Sequence, residues 1–382
     1  MNPKDFIQTY LSSINTINPL YLVTLILNWV LPIVLLYFVL RVFWNIHNIF
    51  VAPELYNLYQ KNAQKLTSIQ KQILVPLILV SGFILLLAVS QIGILVDRTT
   101  KFNFGFAMII AFSVISLVDL VSRFNQFALT SSRLTLIREV AFLVFGVLVY
   151  TLTAFNRRLE IVEILAMLVY FGGYLLLTNF WSEISQFIYS KKLILEPRPI
   201  SGVDNVFADL ENDTRIIMEN SSKQKFLFPQ LKQNLPNSLF FLTLIIIQII
   251  SVSVAYFCLS YWSRVTGLSG TYVAVAIVFL LARKTKINFQ NLTSIVHLQW
   301  FVWLVGVNLV AFVGLLFNIS YPIAVTGFNF SSLFGLLIVT ILIAIWILFP
   351  KKDLSISNKF FANLIFCLFL IYEILLFVSK IA

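Results

Sequence analysis

The residues of this sequence that could do chemistry are the few polar side chains inside its apolar runs. Five of them define a candidate intramembrane polar site: Gln91, Glu163, Gln248, Asn308 and Glu373. A polar side chain in hydrocarbon is costly unless it is paired or wetted, so each is a candidate for function. The functional interpretation is a polar cavity that binds a cation or a proton. The structural alternative has Glu163 reaching the membrane surface and Glu373 protonated and hydrogen-bonded to a neighbour.

Two pairs of charged residues stand near the predicted ends of membrane helices. Asp119 and Arg123 are four residues apart and lie one above the other on a helix, which predicts an ion pair at the membrane boundary. Arg138 and Glu139 stand at the start of the next apolar run. For both pairs we expect a structural role at the interface rather than a role in transport.

Small residues predict where two helices approach each other closely. Gly327, Ser331 and Gly335 recur every four residues and place a smooth stripe on one face of a helix. Gly172 and Gly173 predict a second close approach. Both are expectations about packing.

No catalytic or metal-binding constellation is recognisable in the sequence. Ser269, in a Gly-Leu-Ser-Gly motif, matches the serine motif of rhomboid intramembrane proteases, and His297 would be its partner. The predicted topology places these two residues about a membrane apart, which excludes the dyad. His47 and His297 are the only histidines, and both are predicted near the cytoplasmic boundary, which argues against haem ligation. We therefore expect no enzyme, no metal and no cofactor.

The elements that carry these residues must be membrane helices. Of the 382 residues, 59% are hydrophobic and 11% are charged, with a mean hydropathy of +0.92, whereas a soluble domain has about 25% charged residues. Runs of about twenty apolar residues recur, each long enough to cross about 30 Å of hydrocarbon as a helix. The sequence predicts an all-α polytopic membrane protein with ten spans. These are Leu20–Trp44, Ile73–Val96, Phe104–Val121, Val140–Phe155, Ile161–Trp181, Ser238–Trp262, Gly267–Ala282, Trp300–Phe317, Phe328–Phe349 and Phe360–Val378.

One long polar segment, Ser182–Asn237, divides these spans into two groups of five. The predicted organisation is an N-terminal membrane half (residues 1–181), a connecting segment (182–237) and a C-terminal membrane half (238–382). The connecting segment carries seven acidic and seven basic residues. This balance argues against nucleic acid or lipid as its ligand. Two uses of the connecting segment remain: it binds a protein partner, or it docks against the protein's own cytoplasmic loops.

Basic residues predict the orientation of the spans. Loops after odd-numbered spans hold twenty of the 27 Lys and Arg residues, and loops after even-numbered spans hold five. Positive charge stays in the cytoplasm, so the connecting segment is predicted there and both termini outside it, in a cell (inner) membrane. The net charge of +11 is then explained by the loops and by anionic lipid rather than by nucleic acid.

Five spans per half is an odd number, so two related halves would be inverted relative to each other. Ala154–Arg158 resembles Leu348–Lys352, and each precedes the last helix of its half. Inverted five-helix repeats are a recurrent plan of secondary transporters, and chance similarity between apolar segments is the alternative. The topology resembles that of cation/calcium exchangers, whose repeats carry acidic motifs. Ile73–Val96 and Gly267–Ala282 contain no carboxylate, so the exchangers' ion sites are not carried over.

These observations favour a secondary transporter or channel-like protein for a small solute or ion. The alternative is a non-transporting scaffold or assembly factor that binds a partner through residues 182–237. A membrane-embedded enzyme acting on lipid ranks third, because the sequence has no recognisable acid, base or metal cluster.

Overall fold

The computed structural model describes residues 19–96, 104–124, 133–191, 206–223, 237–267, 273, 276–277, 280, 292–309, 312, 316, 323–348 and 358–381. The α-helices are α1 (Pro19–Ile46), α2 (Ala52–Asn62), α3 (Ser68–Val96), α4 (Phe104–Ser122), α5 (Arg133–Thr153), α6 (Ile161–Asn179), α7 (Trp181–Ser190), α8 (Val206–Ser222), α9 (Asn237–Thr266), α10 (Leu292–Trp303), α11 (Gly327–Leu348) and α12 (Asn358–Ile381). Two π-helical segments, π1 (His47–Val51) and π2 (Leu304–Leu309), follow α1 and α10, and Ala63–Lys65 is a 3₁₀ turn.

Seven of the described helical stretches are long and apolar enough to cross a membrane: those that contain α1, α3, α5, α6, α9, α11 and α12. The prediction of an all-α membrane protein is confirmed at this level. The third predicted span corresponds to α4, whose described apolar stretch, Phe106–Ser122, falls just short of the length of the other seven. The predicted seventh span falls almost entirely outside the described residues, so the arrangement of ten spans in two halves stays a prediction.

The helix α10 lies at the centre of the bundle, and all twelve of its residues are buried. It packs against α3, α4, α5 and α8 and runs directly into π2. Its polar residues lower the local hydropathy, which is why the sequence predicts the start of this span at Trp300 rather than at Leu292. Enclosure by other helices makes these polar residues tolerable, because none of them faces lipid.

The helices α1 and α9 form an antiparallel pair along one side of the bundle. Tyr261 near the end of α9 donates a hydrogen bond to Asn28 near the start of α1. At the other end the rings of Phe50 and Phe240 pack edge to face, 5.3 Å between centroids. Gly267 ends α9 with a φ of +67°, a conformation that favours glycine at a helix terminus.

A two-stranded antiparallel sheet joins two loops on one side of the bundle. Strand β1 (Arg158–Leu159) precedes α6 and strand β2 (Ile323–Ala324) precedes α11, with Arg158 opposite Ala324. This pairing requires both loops to lie on the same side of the membrane.

The helix α8 of the connecting segment docks against the chain's own helices. It packs against α2, α3 and α10, and Leu210 and Met218 join a hydrophobic cluster with Tyr56 and Tyr59 of α2. The helix from Val23 to Lys65 is continuous over 43 residues, about twice the length that a membrane helix needs. Its last part therefore extends beyond the hydrocarbon, and α2 and α8 form a layer at that end.

Candidate functional site

A narrow cavity lies among α5, α6, α10 and π2, with a volume of about 20 Å³. It has room for about one water molecule or one small ion. Its wall includes Leu143, the central residue of α5, and Tyr170, the central residue of α6. The cavity therefore sits near the mid-length of two membrane helices.

Three of the polar side chains that line this midplane cavity have buried atoms without a hydrogen-bond partner among the described residues. They are Tyr150, Gln299 and Asn308, with exposures of 1%, 3% and 1%. The unpaired atoms are the Tyr150 hydroxyl, both amide atoms of Gln299 and Oδ1 of Asn308. Each unpaired buried polar atom costs about 1–3 kcal/mol. Such a concentration around one cavity is typical of a binding site rather than of a core.

The surrounding packing fixes the orientation of these groups. Nδ2 of Asn308 donates to the Trp303 carbonyl oxygen at 3.2 Å and contacts Sδ of Met167 at 3.0 Å, which leaves Oδ1 free. Trp303 donates through Nε1 to Ser113 at 2.7 Å, and its ring packs edge to face on Tyr150. A Cβ added at Gly146 would lie 2.5 Å from Trp300, so glycine there lets α5 approach this ring.

A second polar cluster connects α5, α6 and α10. The Arg138 guanidinium pairs with the Glu139 carboxylate and lies 4.4 Å from the centre of the Trp181 ring. The Tyr174 hydroxyl lies 3.1 Å from Oε2 of Glu139 and 2.9 Å from Nδ1 of His297. Glu139, Tyr174 and His297 are completely buried.

The hydrogen-bond chemistry of this cluster assigns its protons. Nδ1 of His297 lies 3.0 Å from the Thr293 carbonyl oxygen, which can only accept, so Nδ1 carries the proton. The Tyr174 hydroxyl then donates to Glu139 and accepts from His297. Nε2 of His297 is left as a buried acceptor with no partner among the described residues. The result is a continuous chain of hydrogen bonds from α10 through α6 to the ion pair on α5.

The structure adds to the expectation for Arg138 and Glu139 and corrects the one for His297. Arg138 and Glu139 were expected to have a structural role at the interface; they form a pair that the protein encloses, with exposures of 4% and 0%. His297 was expected before the start of a span, but it lies inside α10 and is enclosed by the bundle. Neither result has a local signal in the sequence, because both depend on helices that are distant along the chain.

The predicted polar-site residues occupy different environments. Glu163 is the third residue of α6 and forms a capping box with Glu160: its Oε2 accepts from the Glu160 backbone N–H at 2.7 Å. Asn156 donates to Oε1 of Glu163 at 2.8 Å. Glu163 therefore caps the N-terminus of α6, and both of its carboxylate oxygens accept hydrogen bonds.

The remaining members of that set are also separated. Asn308 lines the midplane cavity, whereas Glu373 lines another cavity and accepts a hydrogen bond from Ser332 at 3.0 Å. Gln248 is 1% exposed on α9, and its Nε2 has no partner among the described residues. Gln91 lies in α3, but its side chain falls outside what the structure describes.

The predicted boundary ion pair forms, since Asp119 and Arg123 contact each other one turn apart on α4. The small-residue stripe on α11 makes one close approach. A Cβ at Gly335 would collide with the Tyr372 ring, and the Tyr372 hydroxyl donates to the Ser331 carbonyl at 2.8 Å. At Gly327 an added Cβ would meet only the Arg157 guanidinium, at an ordinary contact distance of 3.8 Å.

The close approach expected at Gly172 and Gly173 of α6 is not made by any of the described residues. A Cβ added at either glycine would have no described atom within 4 Å. The two glycines therefore do not bring α6 against any of the described helices.

Among the described residues there is no group of three His, Cys, Asp or Glu side chains that could hold a metal ion. No family model, curated protein sequence or solved structure matches the chain.

Proposed function

We propose that this integral membrane protein is a secondary transporter or channel-like protein that passes a small monovalent cation through the midplane cavity. The observation that carries the proposal is the set of unpaired polar atoms of Tyr150, Gln299 and Asn308 around one cavity. Unpaired polar groups inside a membrane protein are costly, and a chain that keeps several of them around one cavity is expected to use them to bind a ligand.

The chemistry of the lining supports a monovalent cation. Tyr150, Gln299 and Asn308 each bring one neutral oxygen, and no carboxylate lines the cavity among the described residues. Divalent cations prefer several carboxylate ligands, whereas neutral oxygens in a narrow cavity suit a singly charged ion. The volume of about 20 Å³ suits one ion and excludes a larger organic solute.

The irregular helix next to the cavity also supports transport. Asn308 lies in π2, where the α-helical pattern of α10 is interrupted. Single π-helical turns occur often at functional sites, and interrupted helices form the substrate sites of many secondary transporters.

The scaffold alternative has weaker support. The buried side of α8, which includes Leu210 and Thr214, packs on the protein's own helices. The connecting segment therefore uses this surface internally and does not present it to a partner.

Ion flux into vesicles tests the proposal. The full-length protein would be reconstituted into liposomes, and uptake of ²²Na⁺ and ⁸⁶Rb⁺ measured beside proton flux with an enclosed pH-sensitive dye. We expect at least one of these ions to enter faster than in protein-free liposomes. Uptake against its own gradient, driven by a second ion, would identify secondary transport. Rates equal to those of empty liposomes for all three ions would overturn the proposal.

A further inference from the structure

A second and much larger cavity, of about 500 Å³, lies between α4, α9, α11 and α12. Its volume is in the range of sites for drug-sized ligands. Its described lining is aliphatic and aromatic with one exception, the carboxylate of Glu373. The lining residues are Ala111, Val114, Trp262, Ala276, Leu280, Phe328, Phe366, Phe369, Leu370, Glu373, Ile374 and Phe377.

The Glu373 side chain is only partly satisfied by the protein. It is 8% exposed, and Oε2 accepts a hydrogen bond from Ser332. Oε1 has no hydrogen-bond partner among the described residues. The neighbouring hydroxyl of Tyr372 donates to the Ser331 carbonyl and is therefore not available to it. A carboxylate in an apolar wall needs a donor or a cation against its free oxygen.

The cavity has one edge at the lipid-facing surface. Leu280, Leu370 and Ile374 line it and are 48%, 39% and 58% exposed. Trp262, near the end of α9, and Phe328, at the start of α11, place it in the half of the bundle that carries β1 and β2. A lipid-soluble molecule can reach such a site from the bilayer.

We propose that this cavity binds an amphiphilic ammonium cation, with the apolar part against the aromatic wall and the ammonium group on Oε1 of Glu373. Aromatic faces attract organic cations, and an ammonium–carboxylate hydrogen bond is charge-assisted. No basic side chain lines the cavity among the described residues. A free amine therefore fits better than the ammonium headgroup of a zwitterionic lipid, whose phosphate would be unpaired.

Binding of tritiated dodecylamine to the full-length protein in nanodiscs of phosphatidylcholine tests the proposal, after subtraction of protein-free nanodiscs. We expect saturable binding of one amine per chain and weak competition by dodecanol, its neutral analogue. Glu373→Gln keeps the shape and the bond to Ser332, and we expect it to weaken binding at least about tenfold because a charge-assisted contact is lost. The control is Glu163→Gln, which changes a carboxylate outside the cavity and should bind as the wild type does.

Amine binding unchanged in Glu373→Gln, or equal affinity for dodecanol, would overturn the proposal and leave an apolar crevice for lipid chains. Repeating the measurement with phosphatidylethanolamine in the nanodiscs distinguishes the two sources of ammonium, since competition by that lipid would identify the headgroup as the ligand. If Glu373→Gln does not fold, Val114→Phe fills the cavity instead and should abolish saturable binding. The site is separate from the midplane cavity, so neither result depends on ion transport.

Discussion

The hydroxyl of Tyr174 on α6 lies 2.9 Å from Nδ1 of His297 on α10, although the two residues are 123 positions apart in the chain. This contact joins the central helix to the buried ion pair of Arg138 and Glu139. It lies one helical turn from Trp300, whose ring also stacks on Tyr174. The polar cluster and the wall of the midplane cavity are therefore parts of one packed unit.

Tyr174→Phe should destabilise the protein by about 1–3 kcal/mol, because it leaves Oε2 of Glu139 without its buried donor. Thermal unfolding in detergent measures the effect. Tyr170→Phe is the matched control: it lies one turn earlier on α6, and its hydroxyl makes no hydrogen bond to the described residues. Equal melting temperatures for the two variants would contradict the hydrogen-bond chain.

Glu139→Gln should cost about 3–5 kcal/mol, because it leaves the buried Arg138 guanidinium without its counter-charge. The double variant Arg138→Met/Glu139→Gln removes both charges, and we expect it to be more stable than Glu139→Gln alone. The double-mutant cycle gives the coupling energy of the pair. Additive effects of the two substitutions would show that the pair is not formed.

Glu163→Ala should lower stability by about 0.5–2 kcal/mol, the usual value of a helix cap. Glu163→Gln retains an acceptor for the Glu160 N–H and should lose much less, because Gln also serves in a capping box. Ion flux should be the same in both variants at temperatures where both are folded. A loss of flux in Glu163→Gln would instead show that the Glu163 carboxylate takes part in transport.

Gly146→Ala should destabilise by about 1–3 kcal/mol, because the new methyl group overpacks against Trp300. Gly172→Ala has no described atom within 4 Å of its new Cβ and should stabilise α6 by about 0.5–1 kcal/mol. Opposite shifts of the melting temperature are therefore expected from the same substitution. Destabilisation at Gly172 would mean that a close contact exists there.

The sequence was sufficient for features that are encoded locally. Hydropathy over about twenty residues predicted the membrane helices, and a four-residue spacing predicted the contact between Asp119 and Arg123. The cap of α6 also had a local signal, since Glu160 and Glu163 have the spacing of a capping box. That signal was missed because Glu163 was interpreted as a membrane charge that either lines a polar cavity or reaches the membrane surface, and not as a helix cap.

The candidate site was much less accessible from the sequence. Asn308 was identified because it is polar within an apolar run, but Gln299 was missed because it precedes the predicted start of its span. Burial of Glu139 and His297 results from packing among α5, α6 and α10, and no local pattern encodes it. Buried polar residues of an enclosed helix resemble the end of a membrane span when only hydropathy is considered.

A small monovalent cation is proposed to pass through the cavity lined by Gln299 and Asn308. The most direct measurement compares initial flux rates in proteoliposomes for the wild type, Gln299→Leu, Asn308→Leu and the control Gln248→Leu, a buried glutamine outside that cavity. We expect both cavity variants to fold. Gln299→Leu removes two unpaired buried atoms, so its stability should equal or exceed that of the wild type, whereas Asn308→Leu also loses the hydrogen bond from Nδ2 to the Trp303 carbonyl. Both variants should lose at least about tenfold in flux, equivalent to one interaction of about 1.4 kcal/mol, and Gln248→Leu should keep its rate. Flux that stays at the wild-type rate in folded Gln299→Leu and Asn308→Leu would show that the cation does not pass through this cavity.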